Sequence, residues 1–296
     1  MAAQLIDGTG IAAQIREELK PRIAALTAQG QKPGLAVILV GNNPSSEAYV
    51  RMKGKATQEL GMHSRQVNLP ANIIEAELLS NIQMLDEDPT IHGILVQTPL
   101  PDHIDANRVI MHIDPVKDAD GFHPVNVGKM LIGMPALLPC TPHGIQELLV
   151  RSGNPPDGKH VVVVGRSNIV GKPVAAILMQ KAKGANATVT VCHSGTPDLA
   201  EHTRRADILI AAMGRASFIK ADMVRDGVVV IDVGSNRIED HSRKSGYRFV
   251  GDVDFEPVAK KAKAITPVPG GVGPMTIAML MSNTVLAAEM SLEDRR

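Results

Sequence analysis

The amino-acid sequence predicts an α/β fold in two domains, on three observations. Both halves alternate short β-branched runs with stretches whose apolar residues recur at helical spacing, the pattern of βα units around a parallel sheet. Prolines at 99, 101, 115, 124, 135, 139 and 142 punctuate the middle of the chain, as expected of a loop-rich region leading to a domain junction near Pro139. Beyond it, four consecutive valines, Val161 to Val164, run through a glycine-bounded turn into an apolar helical stretch from Pro173, the strand, turn and helix of a dinucleotide-binding domain. The expected layout is a first α/β domain over residues 1–139, a Rossmann-type domain over 140–274, and a C-terminal helix, 275–296, returning to the first domain.

In the first half, Thr9 is the expected N-cap of a helix carrying Ile11, Ile15, Leu19 and Ile23. Leu35 to Val40 reads as a buried strand, followed by a helix from about Ser46 to Leu60. Met62 to Asn68, a helix from Ile73 to Leu85 and a strand from Ile91 to Gln97 continue the repeat. In the second half a helix, His143 to Arg151, leads into the valine strand. Strands follow at Ala187 to Val191, Asp207 to Ala212 and Val228 to Val233, with a short helix between the last two. The polar insert Asn236 to Tyr247 is expected to form an exposed hairpin or loop, and a Met-rich amphipathic helix, Met275 to Met290, closes the chain.

Composition excludes several classes. The formal net charge is zero, with 21% charged residues and no basic stripe interleaved with aromatics, which argues against nucleic acid or an anionic membrane surface as partner. No apolar run is expected to be long enough to span a bilayer. The N-terminus carries Asp7, Glu17 and Glu18 in place of a signal-peptide core. Cys140 and Cys192 lack metal-ligand spacing and read as thiols in a reducing compartment. The histidines, His92, His103 and His112 among them, share no face, so no metal is expected.

Five places carry ligand chemistry. Gly165 and Gly171 would let backbone approach a phosphate at a helix N-terminus, although the spacing is not G-x-G-x-x-G and a ligand-free βα unit remains the plain alternative. The next strand ends in Cys192, His193 and Ser194, without the acid that holds a ribose 2′-hydroxyl. Arg166 and Ser194 are donors suited to a 2′-phosphate, so NADP is preferred over NAD. Tyr49 and Lys53, four apart on a helix, share one face, as a solvated lysine beside a half-buried tyrosine would also do. Gln97 ends a buried strand, where open α/β sheets present ligand-binding groups. Asp120 sits in a Gly/Pro-bounded loop, where it could equally be a turn-capping residue.

In chain order SSEAYVRMKGK, GILVQTPLP, PVKDADGF, GRSNIVGKP, VCHSGT, IDVGSN and TPVPGGVGPMTIAML resemble the bifunctional methylenetetrahydrofolate dehydrogenase/methenyltetrahydrofolate cyclohydrolase family, from about Leu5 to Ala288. The resemblance implies a catalytic first domain, an NADP-binding second domain with the folate cleft between them, and a homodimer. It implies that Tyr49 packs against the folate, that Lys53 is the central catalytic group with Gln97 as its partner beside Pro99, and that Asp120 holds the pterin ring through its nitrogen donors. Arg166, Ser167 and Ser194 correspond to the cofactor's 2′-phosphate and ribose contacts, joined in the cofactor site by Gly165, Gly234 and Ser235. Pro269, Gly270, Gly271, Val272 and Gly273 correspond to a loop that closes on both ligands; a plain connector into the last helix is the alternative, since Pro274 suits a first helical turn.

The implied activity is NADP-dependent oxidation of 5,10-methylenetetrahydrofolate and hydrolysis of the methenyl product to 10-formyltetrahydrofolate, in cytoplasmic one-carbon metabolism that supplies purine synthesis and formylation. Two departures stand out: Thr98 where the family usually has Leu, and Ser235 where it usually has Ile. Thr98 would put a hydroxyl beside the folate ring, and Ser235 would weaken an apolar contact near the cofactor.

Overall fold

The computed structural model describes residues 3–243 and 246–293; residues 244–245 of the expected polar insert and 294–296 of the expected C-terminal helix lie outside it. The first elements in chain order are β1 (Gln4–Leu5), α1 (Gly8–Ala28), β2 (Gly34–Val40), α2 (Pro44–Glu59), β3 (His63–Leu69), α3 (Glu75–Glu87) and β4 (Gly93–Val96). The middle holds α4 (Ala106–His112), α5 (Pro124–Leu131), α6 (Cys140–Arg151), β5 (His160–Val164), α7 (Gly171–Leu178), β6 (Thr188–Cys192), α8 (Leu199–Thr203) and β7 (Ile208–Ala211). The chain ends with β8 (Val229–Asp232), β9 (Asn236–Glu239), β10 (Tyr247–Val250), α9 (Phe255–Ala259), β11 (Ala264–Ile265) and α10 (Val272–Glu293). Two compact units result: Ala13–Cys140 with the chain from Ile277, and the chain up to Ala12 with Thr141–Thr276.

In the first of these, β2 is the middle strand of a parallel three-stranded sheet ordered β3-β2-β4, and every one of its residues is buried. A strand buried on both faces needs the uninterrupted apolar run LAVILV. Helix α3 lays Leu78, Ile82 and Leu85, three and four residues apart, against Ala36, Ile38 and Ile94. Truncating one of them, as in Ile82→Ala, would cost about 2–5 kcal/mol.

Two expectations fail in this unit. The proline-punctuated segment contains helices α4 and α5, because its signals act as helix starts: Asp105 accepts from Asn107 N–H at 2.8 Å to cap α4, and Pro124 is the first residue of α5 behind His123, whose Nδ1 accepts from Val125 N–H. The cap of α1 is Asp7, whose Oδ1 accepts from Gly10 N–H at 3.0 Å, and Thr9 lies inside the first turn.

The second unit is built on six parallel strands ordered β1-β11-β8-β7-β5-β6. Its core joins Val162 and Val164 to Leu209, Ala211, Val230 and Ile265. Residues up to Ala12, expected in the first domain, belong to this unit because β1 extends its sheet, pairing Gln4 and Leu5 with Ala264 and Ile265. The short helix expected between β7 and β8 is a single 3₁₀ turn, Ala221–Met223. The polar insert is an antiparallel hairpin, β9 with β10.

The last helix also differs from expectation. Helix α10 is long and apolar enough by length and composition to cross a bilayer, contrary to the reading of the sequence, but more than half of its most apolar stretch is buried within the protein. It is not amphipathic either: Met275, Ala278, Met279, Leu280, Met281, Val285, Ala287 and Ala288 are all buried, on every side of the helix. A helix apolar all round is the mark of a core element as much as of a membrane span. From Ile277 onward it belongs to the unit of the first half, as expected of a returning helix.

Candidate functional site

In the unit of the first half, the middle of α2 meets the end of β4. Gln97 directly follows β4, and its N–H donates to Ile38 O at 2.9 Å, so the sheet ladder fixes its backbone. Its side-chain Oε1 accepts from Lys53 Nζ at 2.9 Å, while its Nε2 donates to Thr98 O at 2.7 Å. Each end of the amide is thereby assigned, and the oxygen faces the lysine. Lys53 is 7% exposed, which rules out a merely solvated lysine, and Tyr49 on the same helix is 43% exposed. Thr98 and Pro99 are exposed beside them.

Asp120 belongs to the same group. Desolvation pushes its carboxyl up to about 6, against the attraction of the Lys53 charge and with a further push from the Asp118 carboxylate. The turn-capping alternative falls to its neighbour: Asp118, buried, accepts from Gly121 N–H, from His123 N–H at 2.7 Å and from Asn126 Nδ2 at 3.0 Å. Gly121 has φ +76°, and a Cβ there would strike the backbone of Leu138 and Pro139, so this loop and the segment before α6 lie in close contact. At the start of α6, burial and the nearby Asp120 push the Cys140 thiol up, and Sγ donates to Ala119 O at 3.2 Å. Cys140 is thus a protonated packing group.

A buried amine held by a neutral amide and a neighbouring carboxyl can exchange protons with a bound molecule. Sequence reasoning missed Asp118 and Cys140 here, and Asn283 of α10, whose Nδ2 donates to Ala119 O at 2.9 Å. Only Asp118 carried a signal, as a second acid in the same motif.

The cofactor candidates lie in the other unit, at the carboxyl ends of its strands. Gly165, φ +138°, directly follows β5 with no room for a Cβ against Ala212 O, and Gly171 is equally close to Gly165 O. Ser167 Oγ accepts from Val170 N–H (3.1 Å) and Gly171 N–H (3.4 Å) at the start of α7. Arg166, Ser167, Ser194 and Ser235 are exposed, while Gly234 is buried against Asp252. The end of β6 offers an exposed hydroxyl and no acid. This donor set, a guanidinium with hydroxyls, fits a phosphate monoester on a ribose.

Two buried aspartates, unforeseen in the sequence, brace these loops. Asp252 accepts from Met213, Gly214 and Arg215 N–H at 2.7–2.8 Å and from Asn236 Nδ2 at 2.9 Å. Asp232 accepts from Gly234, Asp252 and Val253 N–H at 2.8–2.9 Å. The loop Pro269–Gly273 is also in this unit, where Gly270 O accepts from Thr9 N–H at 3.1 Å; Val272 and Gly273 already begin α10, with Pro274 in its first turn. The structure thus groups Lys53, Gln97 and Asp120 in one unit and the cofactor candidates with this loop in the other. Among the described residues no cluster of His, Cys, Asp and Glu is placed to hold a metal ion.

Comparison with known proteins agrees with this division. Residues 6–120 match the family model "Tetrahydrofolate dehydrogenase/cyclohydrolase, catalytic domain", and residues 139–292 match its NAD(P)-binding domain. The chain is 60% identical over 291 residues to the "Bifunctional protein FolD" of Syntrophus aciditrophicus, covering 98% of this chain and 99% of that protein. Among solved structures, the bifunctional FolD dehydrogenase/cyclohydrolase of Campylobacter jejuni superposes with a TM-score of 0.92 at 49% identity, over 98% of this chain and 100% of that one. The Trypanosoma brucei dehydrogenase-cyclohydrolase, solved with NADP cofactor and inhibitor, gives 0.92 at 42% identity over 99% of each chain. The chain belongs to the tetrahydrofolate dehydrogenase/cyclohydrolase family.

Proposed function

We propose that this protein oxidises 5,10-methylenetetrahydrofolate with NADP⁺ and hydrolyses the resulting 5,10-methenyltetrahydrofolate to 10-formyltetrahydrofolate, in one-carbon metabolism. The observation that carries this reading is the buried Lys53, bonded to Gln97 and within Coulombic reach of Asp120. When bound, NADP⁺ would supply the acceptor for the hydride of the one-carbon bridge, and the two folate nitrogens would stabilise the cation left behind. Lys53 shuttles the proton of the hydration step: one leaves the water that adds to the methenyl carbon and one reaches the nitrogen whose bond to that carbon breaks. Gln97 orients the amine through a neutral acceptor. Asp120, as carboxylate, accepts from the pterin nitrogens, and Tyr49 and Pro99 contact the substrate.

Gly165, Arg166, Ser167, Ser194, Gly234 and Ser235 hold the cofactor, with the guanidinium and hydroxyls on the 2′-phosphate. The unit containing Lys53 is then the folate-binding catalytic domain and the other the NADP-binding domain. A cytoplasmic homodimer feeding purine synthesis completes the reading. Strand β3, which among the described residues pairs within its sheet with β2 alone, leaves an edge consistent with a second copy.

The test is an assay that follows NADPH and methenyltetrahydrofolate at two wavelengths in one reaction. Lys53→Met should lose at least ~10²-fold in cyclohydrolase activity and less in hydride transfer, so that methenyltetrahydrofolate accumulates. Wild-type hydrolysis of added methenyltetrahydrofolate by the variant would remove the role assigned to Lys53.

A further inference from the structure

We infer that Asn283, on α10, is a positioning residue for the substrate-holding carboxylate, tying the backbone segment that carries Asp120 to the segment that enters α6; this rests on the reading of Asp120 as the pterin-binding group. Asn283 is 3% exposed. Its Nδ2 donates to Ala119 O at 2.9 Å and to Leu138 O at 2.8 Å, and lies 3.6 Å from Cys140 Sγ. The two amide hydrogens therefore serve two carbonyls, one immediately before Asp120 and one two residues before Cys140.

The two segments are also joined directly. Cys140 N–H donates to Asp120 O at 3.2 Å, and Cys140 Sγ to Ala119 O. Gly121 packs too tightly against Leu138 and Pro139 to admit a Cβ. On its other side the loop is tied to β4, since Ala119 N–H donates to Ile94 O at 3.3 Å and Ile94 N–H to Lys117 O at 2.7 Å. Asp120 thus sits on a backbone held from β4, from α6 and from α10, and Asn283 supplies the side-chain bonds from α10.

The same helix reaches the lysine side. Two residues earlier, buried Met281 lies 3.5 Å from Thr57 Oγ1, and that hydroxyl donates to Lys53 O at 2.8 Å. Within three residues α10 touches the supports of both Lys53 and Asp120, so it sets the spacing between the amine and the carboxylate. A side chain that only satisfied two carbonyls would affect stability. One that sets the position of Asp120 must affect how the folate is held, because a carboxylate displaced by even a fraction of an ångström meets the pterin donors at poorer geometry.

The experiment compares the whole protein with Asn283→Ala, Asn283→Ser and Asp120→Asn. For each, the KM for 5,10-methylenetetrahydrofolate, kcat, the NADP⁺ dissociation constant from a titration without folate, and the melting temperature are measured. Asn283→Ala should raise the folate KM at least ~10-fold, with kcat falling less and the NADP⁺ constant within about twofold. Asn283→Ser, which keeps one donor, should lie between it and the wild type. A folate KM within about twofold of wild type in folded Asn283→Ala, or KM and NADP⁺ constant rising together, would overturn the inference. So would failure of both Asn283 variants to fold, which would make the residue a support of the whole unit. A wild-type KM in Asp120→Asn would sink the substrate reading of Asp120 itself, separately from the tie.

Discussion

Asp120 in the catalytic unit and Asp232 in the nucleotide-binding unit are both buried enough to be pushed up to about 6, and for both the largest cause is desolvation. What opposes the desolvation differs. Around Asp232 three backbone N–H groups pull the value back down, and its neighbour Asp252 collects four donors. Around Asp120 the opposing influence is the Lys53 charge. The shift alone therefore does not separate a structural carboxylate from a ligand-binding one. The partners do: a carboxylate enclosed by the chain's own amides is spent on holding loops, whereas one enclosed without them keeps its acceptor capacity for a substrate.

The sharpest way to break this comparison is to neutralise one carboxylate in each unit. Asp252→Asn replaces an acceptor-only group by one whose NH₂ must face N–H donors. It should cost about 3–5 kcal/mol, seen by calorimetry as a melting temperature lower by roughly 10 °C. Unchanged melting would show that the cage around Asp252 is not what holds the loops.

Asp120→Asn should do the opposite. It removes a desolvated charge, so stability should stay within ~0.5 kcal/mol or rise, while the folate KM rises ~10- to 100-fold because charge-assisted bonds to the pterin are lost. If the two variants behaved alike in both measurements, the distinction by partners would fail.

The pH dependence sharpens it further. Pterin donors need the ionised carboxylate, so kcat/KM for the folate should fall as pH drops through about 6, by at most roughly tenfold per pH unit. Stability runs the other way. A carboxyl raised from 3.8 to about 6 takes up a proton on folding, so its favourable contribution is full below 3.8 and lost as pH rises through about 6. Asp120→Asn should abolish the first dependence, and a profile that remained flat in the wild type down to pH 5 would count against Asp120 as the binding group.

Much of this was legible in the chain, and the exceptions share a cause. The valine run and LAVILV read directly as buried strands because burial on both faces demands continuous apolar residues. Lys53 and Gln97 could be proposed because a helix face and a strand end are places that sequence locates. That Asp118 and not Asp120 would cap the turn could not be read, since two acids in DAD suit the same turn and only the fold decides which carboxyl points inward. Asp252 gathers donors from 37 to 39 residues away, and Asn283 reaches a carbonyl 164 residues distant; no local period reports such contacts. Strand β1 has two residues, too few for any pattern, and is defined by its pairing with β11. The sequence of α10 reads as amphipathic, and only the tertiary packing buries it on every side.

The smallest expected effect belongs to the nucleotide unit's exposed donors. Arg166 lies in the turn after β5, and Ser194 beyond the end of β6, where no acid is present to favour a free ribose hydroxyl. The wild type should therefore bind NADP⁺ at least ~10-fold tighter than NAD⁺, about 1.4 kcal/mol. Arg166→Ala should narrow that preference about fivefold, near 1 kcal/mol, and no more, because an exposed guanidinium interacts through screened charge and the hydroxyls of Ser167 and Ser194 stay in place. The loss should fall on NADP⁺ alone and shrink as salt is raised, since NAD⁺ has no phosphate for the guanidinium to meet. Equal losses for the two cofactors in parallel titrations would mean that Arg166 shapes the turn, and the comparison would then have found a structural residue in the nucleotide unit where a binding one is expected.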